Sequence, residues 1–176
     1  FGGRAIGDAE PKYLNSPENI VFQKKNNLYA LNITKQDIGK EGNAILVEGY
    51  MDAISLYQHG VKNVGASLGT ALTENQARLL KRYTKNVVLS YDADTAGRNA
   101  ALRGIDVLGG EDIKVKVLHV TDGKDPDEFI KKNGRGAFLK LVENALSMTD
   151  YKLDTAKEGL DLNTEDGKID YMKRAS

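Results

Sequence analysis

The sequence predicts an α/β protein with a mostly parallel central sheet that is covered by helices on both faces. Short, wholly apolar runs such as Ala44–Val47 are typical of strands that are buried on both sides. These runs alternate with segments of helical periodicity, and glycine, turn or capping residues separate the two kinds of segment. Such alternation indicates parallel strands with crossover connections. We therefore expect a layered sheet from Asn43 onward, with a partial α+β segment before it and a helical segment after it.

Four apolar segments are predicted as strands of this sheet. They are Ala44–Val47, Val61–Ala66, Val87–Tyr91 and Val115–Val120. Before them, Ile20–Phe22 is a short strand candidate, and Leu28–Ile33 is compatible with either a strand or a helical turn. Residues 1–40 contain too little apolar material to fold alone, so we expect them to be the edge of a larger unit.

Helices are predicted between the strands and after the last of them. Gly60 follows a helical segment at Met51–His59 and suits the left-handed conformation that closes helices. Thr73 and Gln76 have capping-box spacing, which marks the start of the next helix. Three further helices are predicted at Ala96–Leu108, Asp127–Lys132 and Ala137–Leu146. No strand is expected after Asp125.

The composition limits the classes of function that the chain can have. Its 176 residues include 25 basic and 25 acidic side chains, so the net charge of zero gives no bulk argument for nucleic-acid binding. Because there is no cysteine, disulfides, thiolate metal sites and cysteine nucleophiles are excluded within the chain. No apolar run approaches the roughly 18 to 20 residues of a membrane span, and no signal peptide is visible. The chain opens at Phe1 rather than Met, so we expect it to be an excised fragment.

Acidic residues follow three of the predicted strands, at the edge of the sheet where parallel α/β proteins bind ligands. Glu48 directly follows the first strand, and Asp92 and Asp94 follow the third. Asp125 and Asp127 come shortly after the fourth strand. If these strands are neighbours, five carboxylates meet at one edge, and their mutual repulsion favours a bound cation. Mg²⁺ or Mn²⁺ fits because both ions prefer oxygen ligands, and such a site suits phosphoryl chemistry.

Each of these acidic motifs also has an ordinary structural explanation. An Asp-x-Asp pair after a strand is more often a turn or a helix cap than a metal site. Asp125 and Asp127 around Pro126 are typical of a helix start, and Asp52 is either a further ligand or a partner of its own helix dipole. The occurrence of all three motifs in this order within one α/β pattern favours the metal site. The eight tyrosines are scattered along the sequence, so no stacking platform is predicted.

Three segments carry a more specific signal: Val47-Glu48-Gly49-Tyr50-Met51-Asp52, Tyr91-Asp92-Ala93-Asp94-Thr95-Ala96-Gly97 and Gly123-Lys124-Asp125-Pro126-Asp127. Together they resemble the Toprim domain of bacterial DnaG-type DNA primases. Toprim carboxylates are shared with topoisomerases, recombination proteins and some nucleases. The upstream segment Pro11-Lys12-Tyr13-Leu14-Asn15-Ser16-Pro17-Glu18 is similar to the end of the primase RNA polymerase core, which narrows the resemblance to primases. The likeness covers nearly all of the chain.

The resemblance implies a Toprim fold and three units along the chain. Residues 1–40 would be the C-terminal part of the N-terminal subdomain of the primase catalytic core. Residues 41–124 would be the Toprim domain, and residues 125–176 a truncated helical subdomain.

The resemblance also implies roles for particular side chains. The catalytic residues and principal metal ligands would be Glu48, Asp92 and Asp94. The acidic site would be completed by Asp52, Asp125 and Asp127. A basic groove beside it, in contact with nucleoside triphosphate or template, would contain Arg4, Lys12, Asn15 and Lys24. From the residues alone, these cations lie among acidic neighbours and are more typical of a solvated face.

The activity that this family implies is Mg²⁺-dependent synthesis of short RNA primers on single-stranded DNA, with Mn²⁺ able to substitute. The implied partners are the single-stranded template, ribonucleoside triphosphates, the RNA–DNA hybrid product and a replicative helicase. The helicase contact and a zinc site would lie in domains absent from this chain. The expected location is the bacterial cytoplasm at the replication fork, with no membrane partner, and the fragment alone is expected to be poorly active.

Two other functions stay open at the level of sequence. One is metal-dependent phosphodiester cleavage, as in Toprim-containing nucleases. The other is a nucleic-acid-binding or recombination scaffold with a vestigial acidic edge. Three assay results distinguish the hypotheses. Ribonucleotide incorporation indicates primer synthesis, DNA cutting indicates a nuclease, and metal-independent binding without either reaction indicates a scaffold.

Overall fold

The protein is built on a five-stranded sheet, as shown by a computed structural model that describes residues 2–6, 10, 13–68, 71–120, 122–123 and 125–175. The strands of this sheet are β3 (Ala44–Val47), β4 (Val64–Ala66), β5 (Asn86–Leu89), β6 (Lys114–Val117) and β7 (Leu146–Ser147), which follow a separate antiparallel pair of β1 (Gly2–Arg4) and β2 (Tyr13–Asn15). The spatial order of the sheet is β4-β3-β5-β6-β7. The first four strands are parallel and β7 is antiparallel to β6. The predicted mostly parallel sheet is therefore confirmed.

Seven helices lie within the described part of the chain, after a short 3₁₀ turn at Lys24–Asn26. They are α1 (Leu31–Glu41), α2 (Tyr50–Gln58), α3 (Glu74–Lys81), α4 (Thr95–Gly110), α5 (Pro126–Glu143), α6 (Met148–Lys157) and α7 (Glu165–Ala175). Among them, no helix is long and apolar enough to cross a membrane.

The helices cover both faces of the sheet because side chains alternate along each strand. Ala44 and Leu46 of β3 pack in one apolar layer with residues of α1, α3 and α4. Ile45 and Val47 of the same strand pack in the opposite layer with residues of α2 and α5. All four side chains are at most 1% exposed, which explains why the strand is an unbroken apolar run.

Several local predictions are confirmed by the backbone. The Thr73 hydroxyl accepts a hydrogen bond from the Gln76 N–H, and the Gln76 side chain accepts one from the Thr73 N–H, which completes the capping box. Gly60 has a φ of +89°, as its position after α2 predicts. The two helices predicted after Asp125 form one element, α5, interrupted at Gly134, where φ is +77°.

Two local predictions need correction, and one open alternative is decided. Ile20–Phe22 is not a strand, because the Asn19 side chain accepts hydrogen bonds from the Val21 and Phe22 N–H groups and closes a turn. Of the two alternatives for Leu28–Ile33, the helical one is realised, since α1 begins at Leu31. The expectation of no strand after Asp125 was wrong, because β7 pairs with β6. A strand of two residues is too short to show periodicity.

Candidate metal and nucleotide site

The site lies where the direction of the sheet reverses. From β3 the chain crosses to β4 on one side, and β5 returns to the opposite side of β3. In open parallel sheets, ligands bind in the crevice that this reversal creates at the carboxyl ends of the strands. Glu48 follows β3, and Asp92 follows β5 after two buried residues. The chain topology therefore brings these two predicted ligands to one edge.

A pocket of about 570 Å³ opens at this edge, and we call it the acidic pocket. Its carboxylates are Glu48, Asp52, Asp92, Asp125 and Asp127. Its other polar lining includes Arg4, Asn15, Lys24, Tyr13 and Tyr50. The structure thus brings together eight of the ten side chains that the sequence analysis singled out. Asp94 is not among the residues that line the pocket, and Lys12 lies outside the described residues.

Glu48 and Asp92 are in direct contact at the centre of the pocket. The Asp92 backbone N–H donates a hydrogen bond to Glu48 Oε1 at 3.3 Å. Burial raises the pKa of Glu48; the hydrogen bond from Asp92 and the charge of Arg103 act in the opposite direction. Burial, followed by the negative charge of Glu48, raises the pKa of Asp92 to about 7. Burial therefore outweighs the hydrogen bond and Arg103 at Glu48, and both carboxylates bind a proton more readily than ordinary ones.

Asp52 links the start of α2 to the start of α5. Its Oδ1 accepts a hydrogen bond from the Asp127 backbone N–H at 3.2 Å. Burial, followed by the charge of Asp125, raises the pKa of Asp52 to about 6. A Cβ at Gly49 would lie 2.9 Å from Asp52 Oδ2, so a glycine at this position leaves room for the carboxylate. Asp52 is thus a partner of the α5 terminus as well as a lining residue.

Asp127 is the carboxylate of the pocket with a cation of its own. Burial alone would raise its pKa, but Lys131, at 2.7 Å from Oδ2, together with Ser55 and Arg4 holds that pKa below the ordinary value. Its Oδ1 is buried without a hydrogen bond of ordinary length to the described residues. Apart from the long contact with Ser55, Asp127 can therefore accept a hydrogen bond from a ligand or water.

Asp94 serves as the N-cap of α4. Its Oδ1 accepts a hydrogen bond from the Gly97 N–H at 2.7 Å. The alternative that the sequence left open for an Asp-x-Asp pair, a helix cap, is therefore realised for this residue. Its charge still acts on the site, since it raises the pKa of both Glu48 and Asp92. Its predicted role as a metal ligand stays a prediction.

The donor chemistry of the acidic pocket fits a hydrated divalent cation. Within the described ranges, no three acidic or histidine side chains are placed to hold one ion among them. Mg²⁺, however, usually keeps several waters and binds through only one or two carboxylates. Glu48 and Asp92 line the same pocket, the charge of Glu48 raises the pKa of Asp92, and the buried Asp127 Oδ1 has no hydrogen bond of ordinary length to the described residues, which together match that requirement. The residues fit an ion held partly through water and do not form a closed cage.

An aromatic and basic wall faces the carboxylates, and the sequence analysis missed its aromatic part. The Tyr13 and Tyr50 rings meet edge to face with centroids 5.8 Å apart, and Tyr29 lies 5.8 Å from Tyr50. The Arg4 guanidinium lies 5.4 Å from the centre of the Tyr13 ring. These residues come from β1, β2, the start of α2 and the segment before α1, so nothing in their spacing could have revealed the cluster. The wall offers flat rings and a cation next to the acidic pocket.

Lys24 reaches this wall because its backbone is anchored from α3. The buried Gln76 side chain donates hydrogen bonds to the Lys24 and Asn27 carbonyls at 2.9 and 2.8 Å. The same amide closes the capping box with Thr73. One buried side chain therefore fixes both the start of α3 and the 3₁₀ turn that carries Lys24.

Three family models match the chain. A Toprim-like model matches residues 45–130, and a model of the N-terminal domain of the DNA primase catalytic core matches residues 1–35. A model described as the DnaB-helicase binding domain of primase matches residues 149–176. The sequence analysis placed helicase contact in a domain absent from this chain, whereas this match lies within it.

The similar proteins and solved structures are also DNA primases. The DNA primase of Clostridium acetobutylicum is 55% identical over the full chain, which spans 29% of that protein. The zinc-binding and RNA polymerase domains of Aquifex aeolicus primase superpose with a TM-score of 0.81 at 41% identity, covering 98% of this chain and 43% of that one. A DnaG primase catalytic domain bound to single-stranded DNA gives a TM-score of 0.83 at 36% identity, covering 98% and 56%. The chain therefore corresponds to less than a third of the curated relative and about half of the solved chains.

Proposed function

Because this chain belongs to the family of bacterial DnaG-type DNA primases, we propose that it forms the metal-binding half of a site for template-directed RNA synthesis. The reaction joins the 3′-hydroxyl of a growing primer to the α-phosphate of a ribonucleoside triphosphate and releases pyrophosphate. The observation that carries the proposal is the acidic pocket, where five carboxylates face Arg4 and Lys24. Opposite charges on facing walls suit a triphosphate bound together with a divalent cation.

We propose Mg²⁺ as the resident cation, with Mn²⁺ as a substitute, held by Glu48 and Asp92 and completed by water and Asp52, Asp125 or Asp127. When bound, it would lower the barrier to attack and neutralise charge on the reacting phosphate. The direct ligand role of Asp94 stays part of this proposal, beside its role as helix cap. Zinc is expected only outside this chain.

The protein's own side chains would position the reactants. Glu48 and Asp92 hold their relative orientation through the hydrogen bond between them. Arg4, Asn15 and Lys24 would bind phosphate oxygens of the triphosphate or the template strand, and the predicted role of Lys12 belongs with theirs. Binding of this kind should weaken as salt increases. The basic wall then aligns a phosphate against the carboxylate side of the same pocket.

The proposed partners follow from this chemistry and from the family. They are a single-stranded DNA template, ribonucleoside triphosphates, the RNA–DNA hybrid and a replicative helicase, all in the bacterial cytoplasm at the replication fork. The solved relative bound to single-stranded DNA supports the template. The match to a helicase-binding model supports the helicase. We also propose that the chain is divided into three units, with boundaries after residues 40 and 124.

The test uses a full-length DnaG-type primase that carries this sequence, because the chain covers only part of its relatives. Mg²⁺-dependent incorporation of labelled ribonucleotides on single-stranded DNA should be lost in Asp92→Ala and Asp94→Ala. Lys157→Ala is a control, since Lys157 pairs with Asp154 outside the acidic pocket. DNA cleavage without incorporation would favour a nuclease, and binding with neither reaction would favour a scaffold; either result would refute the proposal.

A further inference from the structure

Glu48 separates two pockets, only one of which the proposed function uses. A second pocket of about 200 Å³ lies behind it and is lined by the polar side chains of Glu48, Ser67, Tyr91 and Arg103. We call it the rear pocket. Within the described part of the chain, Glu48 is the one residue that lines both this pocket and the acidic pocket. Its carboxylate is therefore accessible from two sides.

Tyr91 brings a buried hydroxyl to the rear pocket. The side chain is 6% exposed, and its hydroxyl makes no hydrogen bond of ordinary length with the described residues. Burial and then the negative charge of Glu48 raise its pKa, whereas a long hydrogen bond with Ser67 acts in the opposite direction. A buried O–H donor that is left unsatisfied costs about 1–3 kcal/mol, and a long contact recovers only part of that free energy. The hydroxyl can therefore donate to a stronger acceptor than Ser67.

The backbone fixes Tyr91 relative to Glu48. Tyr91 directly precedes Asp92, whose N–H is already bonded to Glu48. The Tyr91 ring lies against α4, where a Cβ at Gly104 would be 3.9 Å from its Cε2 atom. Because the ring is held on one side by the core and on the other by the strand end, its hydroxyl has little freedom to turn away.

We propose that Tyr91 is a positioning residue that holds the Glu48 carboxylate from the rear pocket while the opposite side of that carboxylate binds the divalent cation. The inference rests on the metal site of the proposed function. Ligands of a metal are commonly held by a hydrogen bond on the side away from the ion, and loss of that bond typically lowers metal affinity about 10- to 100-fold. The Tyr91 hydroxyl can donate this bond through a water, since it makes no direct hydrogen bond to Glu48 and the rear pocket has room for a water molecule.

The test is Tyr91→Phe in the 176-residue chain, with Mn²⁺ binding measured by isothermal titration calorimetry. Removal of the hydroxyl should weaken Mn²⁺ binding about 10-fold. Tyr151→Phe is the matched control, because Tyr151 is 7% exposed and lines neither pocket. It should leave Mn²⁺ affinity unchanged.

A stability measurement separates positioning from a structural role. Because the hydroxyl has only a long contact with Ser67, Tyr91→Phe should keep or increase the free energy of unfolding in urea without metal while it weakens Mn²⁺ binding. A parallel fall in both quantities would overturn the inference. In a Glu48→Gln background, Tyr91→Phe should cause no further loss of affinity, since the group that it positions is gone.

The possible failures are distinguishable. If the unaltered chain binds no Mn²⁺, the metal site of the proposed function is refuted, and the proposed role of Tyr91 is refuted with it. If the unaltered chain binds Mn²⁺ and Tyr91→Phe binds it equally well, only the role of Tyr91 is refuted.

Discussion

Glu48 Oε1 accepts a hydrogen bond from the Asp92 backbone N–H at 3.3 Å, which ties together two residues that are 44 positions apart in the sequence. The contact spans the reversal point between β3 and β5 and holds the Asp92 backbone against the Glu48 carboxylate. The negative charge of Glu48 also raises the pKa of Asp92.

Glu48→Gln should lower the pKa of Asp92 from about 7 without returning it to the ordinary value of 3.8. The substitution removes the negative charge of Glu48, the second cause of the raised pKa, and leaves burial, the largest cause, in place. Carbon-detected NMR titration of the Asp92 carboxyl measures the change. Glu143→Gln, a substitution at the end of α5 outside the acidic pocket, is the control. An unchanged Asp92 titration would show that the two charges are not coupled.

The metal-free protein should lose stability as the pH rises from about 4 to about 7. Asp52 and Asp92 have pKa values of about 6 and about 7 in the folded state, against 3.8 as the ordinary value. Well below pH 4 both are protonated whether the chain is folded or not. As the pH rises, the unfolded chain releases these protons first, so the free energy of unfolding falls until the folded-state pKa values are passed.

Urea unfolding of the chain and of Asp92→Asn across this pH range tests whether stability falls as the pH rises. The other titrating groups contribute equally to both proteins, so their contributions cancel in the comparison. As the pH increases, the free energy of unfolding of the unaltered chain should fall relative to that of Asp92→Asn. Addition of Mg²⁺ at pH 8 should stabilise the unaltered chain more than the variant. A difference that is independent of pH would be inconsistent with a protonated Asp92 near neutrality.

Gly97→Ala should disrupt the site, whereas Gly109→Ala in the same helix should not. A Cβ at Gly97 would lie 2.2 Å from the Asp92 carbonyl oxygen, so α4 or the Asp92 backbone must move. We expect a loss of about 2–3 kcal/mol in the free energy of unfolding and weaker Mn²⁺ binding. No atom lies within 4 Å of a Cβ at Gly109, and alanine there should stabilise the helix by about 0.5–1 kcal/mol. Equal effects of the two substitutions in chemical denaturation would refute this account.

Gln76→Met should release Lys24 from the wall of the acidic pocket. The substitution preserves volume but removes hydrogen bonds to the Lys24 and Asn27 carbonyls and to the Thr73 N–H. We expect a loss of about 2 kcal/mol in the free energy of unfolding, and weaker, less salt-dependent binding of single-stranded DNA. Gln36→Met, at an exposed position of α1 outside the acidic pocket, is the control and should change DNA binding little. Wild-type DNA affinity in Gln76→Met would show that Lys24 needs no such anchor.

The sequence predicted the sheet and the general place of the site because both depend on short-range patterns. Ala44–Val47 is apolar throughout since both of its faces are buried, and Glu48 follows it at the edge where parallel sheets bind ligands. Thr73 and Gln76 are three residues apart, so the capping box was also visible in the sequence. The strand order was not visible, because the spacing of strands along a chain does not say on which side each one adds.

The contacts that shape the site depend on tertiary structure, so they could not be predicted from the sequence pattern. Tyr13 and Tyr50 meet only because β2 lies beside the start of α2. Asp94 follows a strand just as Asp92 does, yet it caps α4 because its side chain reaches the Gly97 N–H. The sequence pattern did not predict the rear pocket or a role for the Tyr91 hydroxyl, since an aromatic residue at the end of a strand is typical of an ordinary hydrophobic core.

The most direct test of the account is where Mn²⁺ binds in the chain. In a ¹⁵N-labelled sample, trace Mn²⁺ should broaden the backbone amide signals next to Glu48, Asp92 and Asp127 first, and Mg²⁺ should reverse the effect by competition. Amides of α7, which lies outside the acidic pocket, should be unaffected. Broadening that begins elsewhere, or that persists in Asp92→Asn at the same Mn²⁺ concentration, would contradict the central claim that these strand-end carboxylates form a divalent cation site.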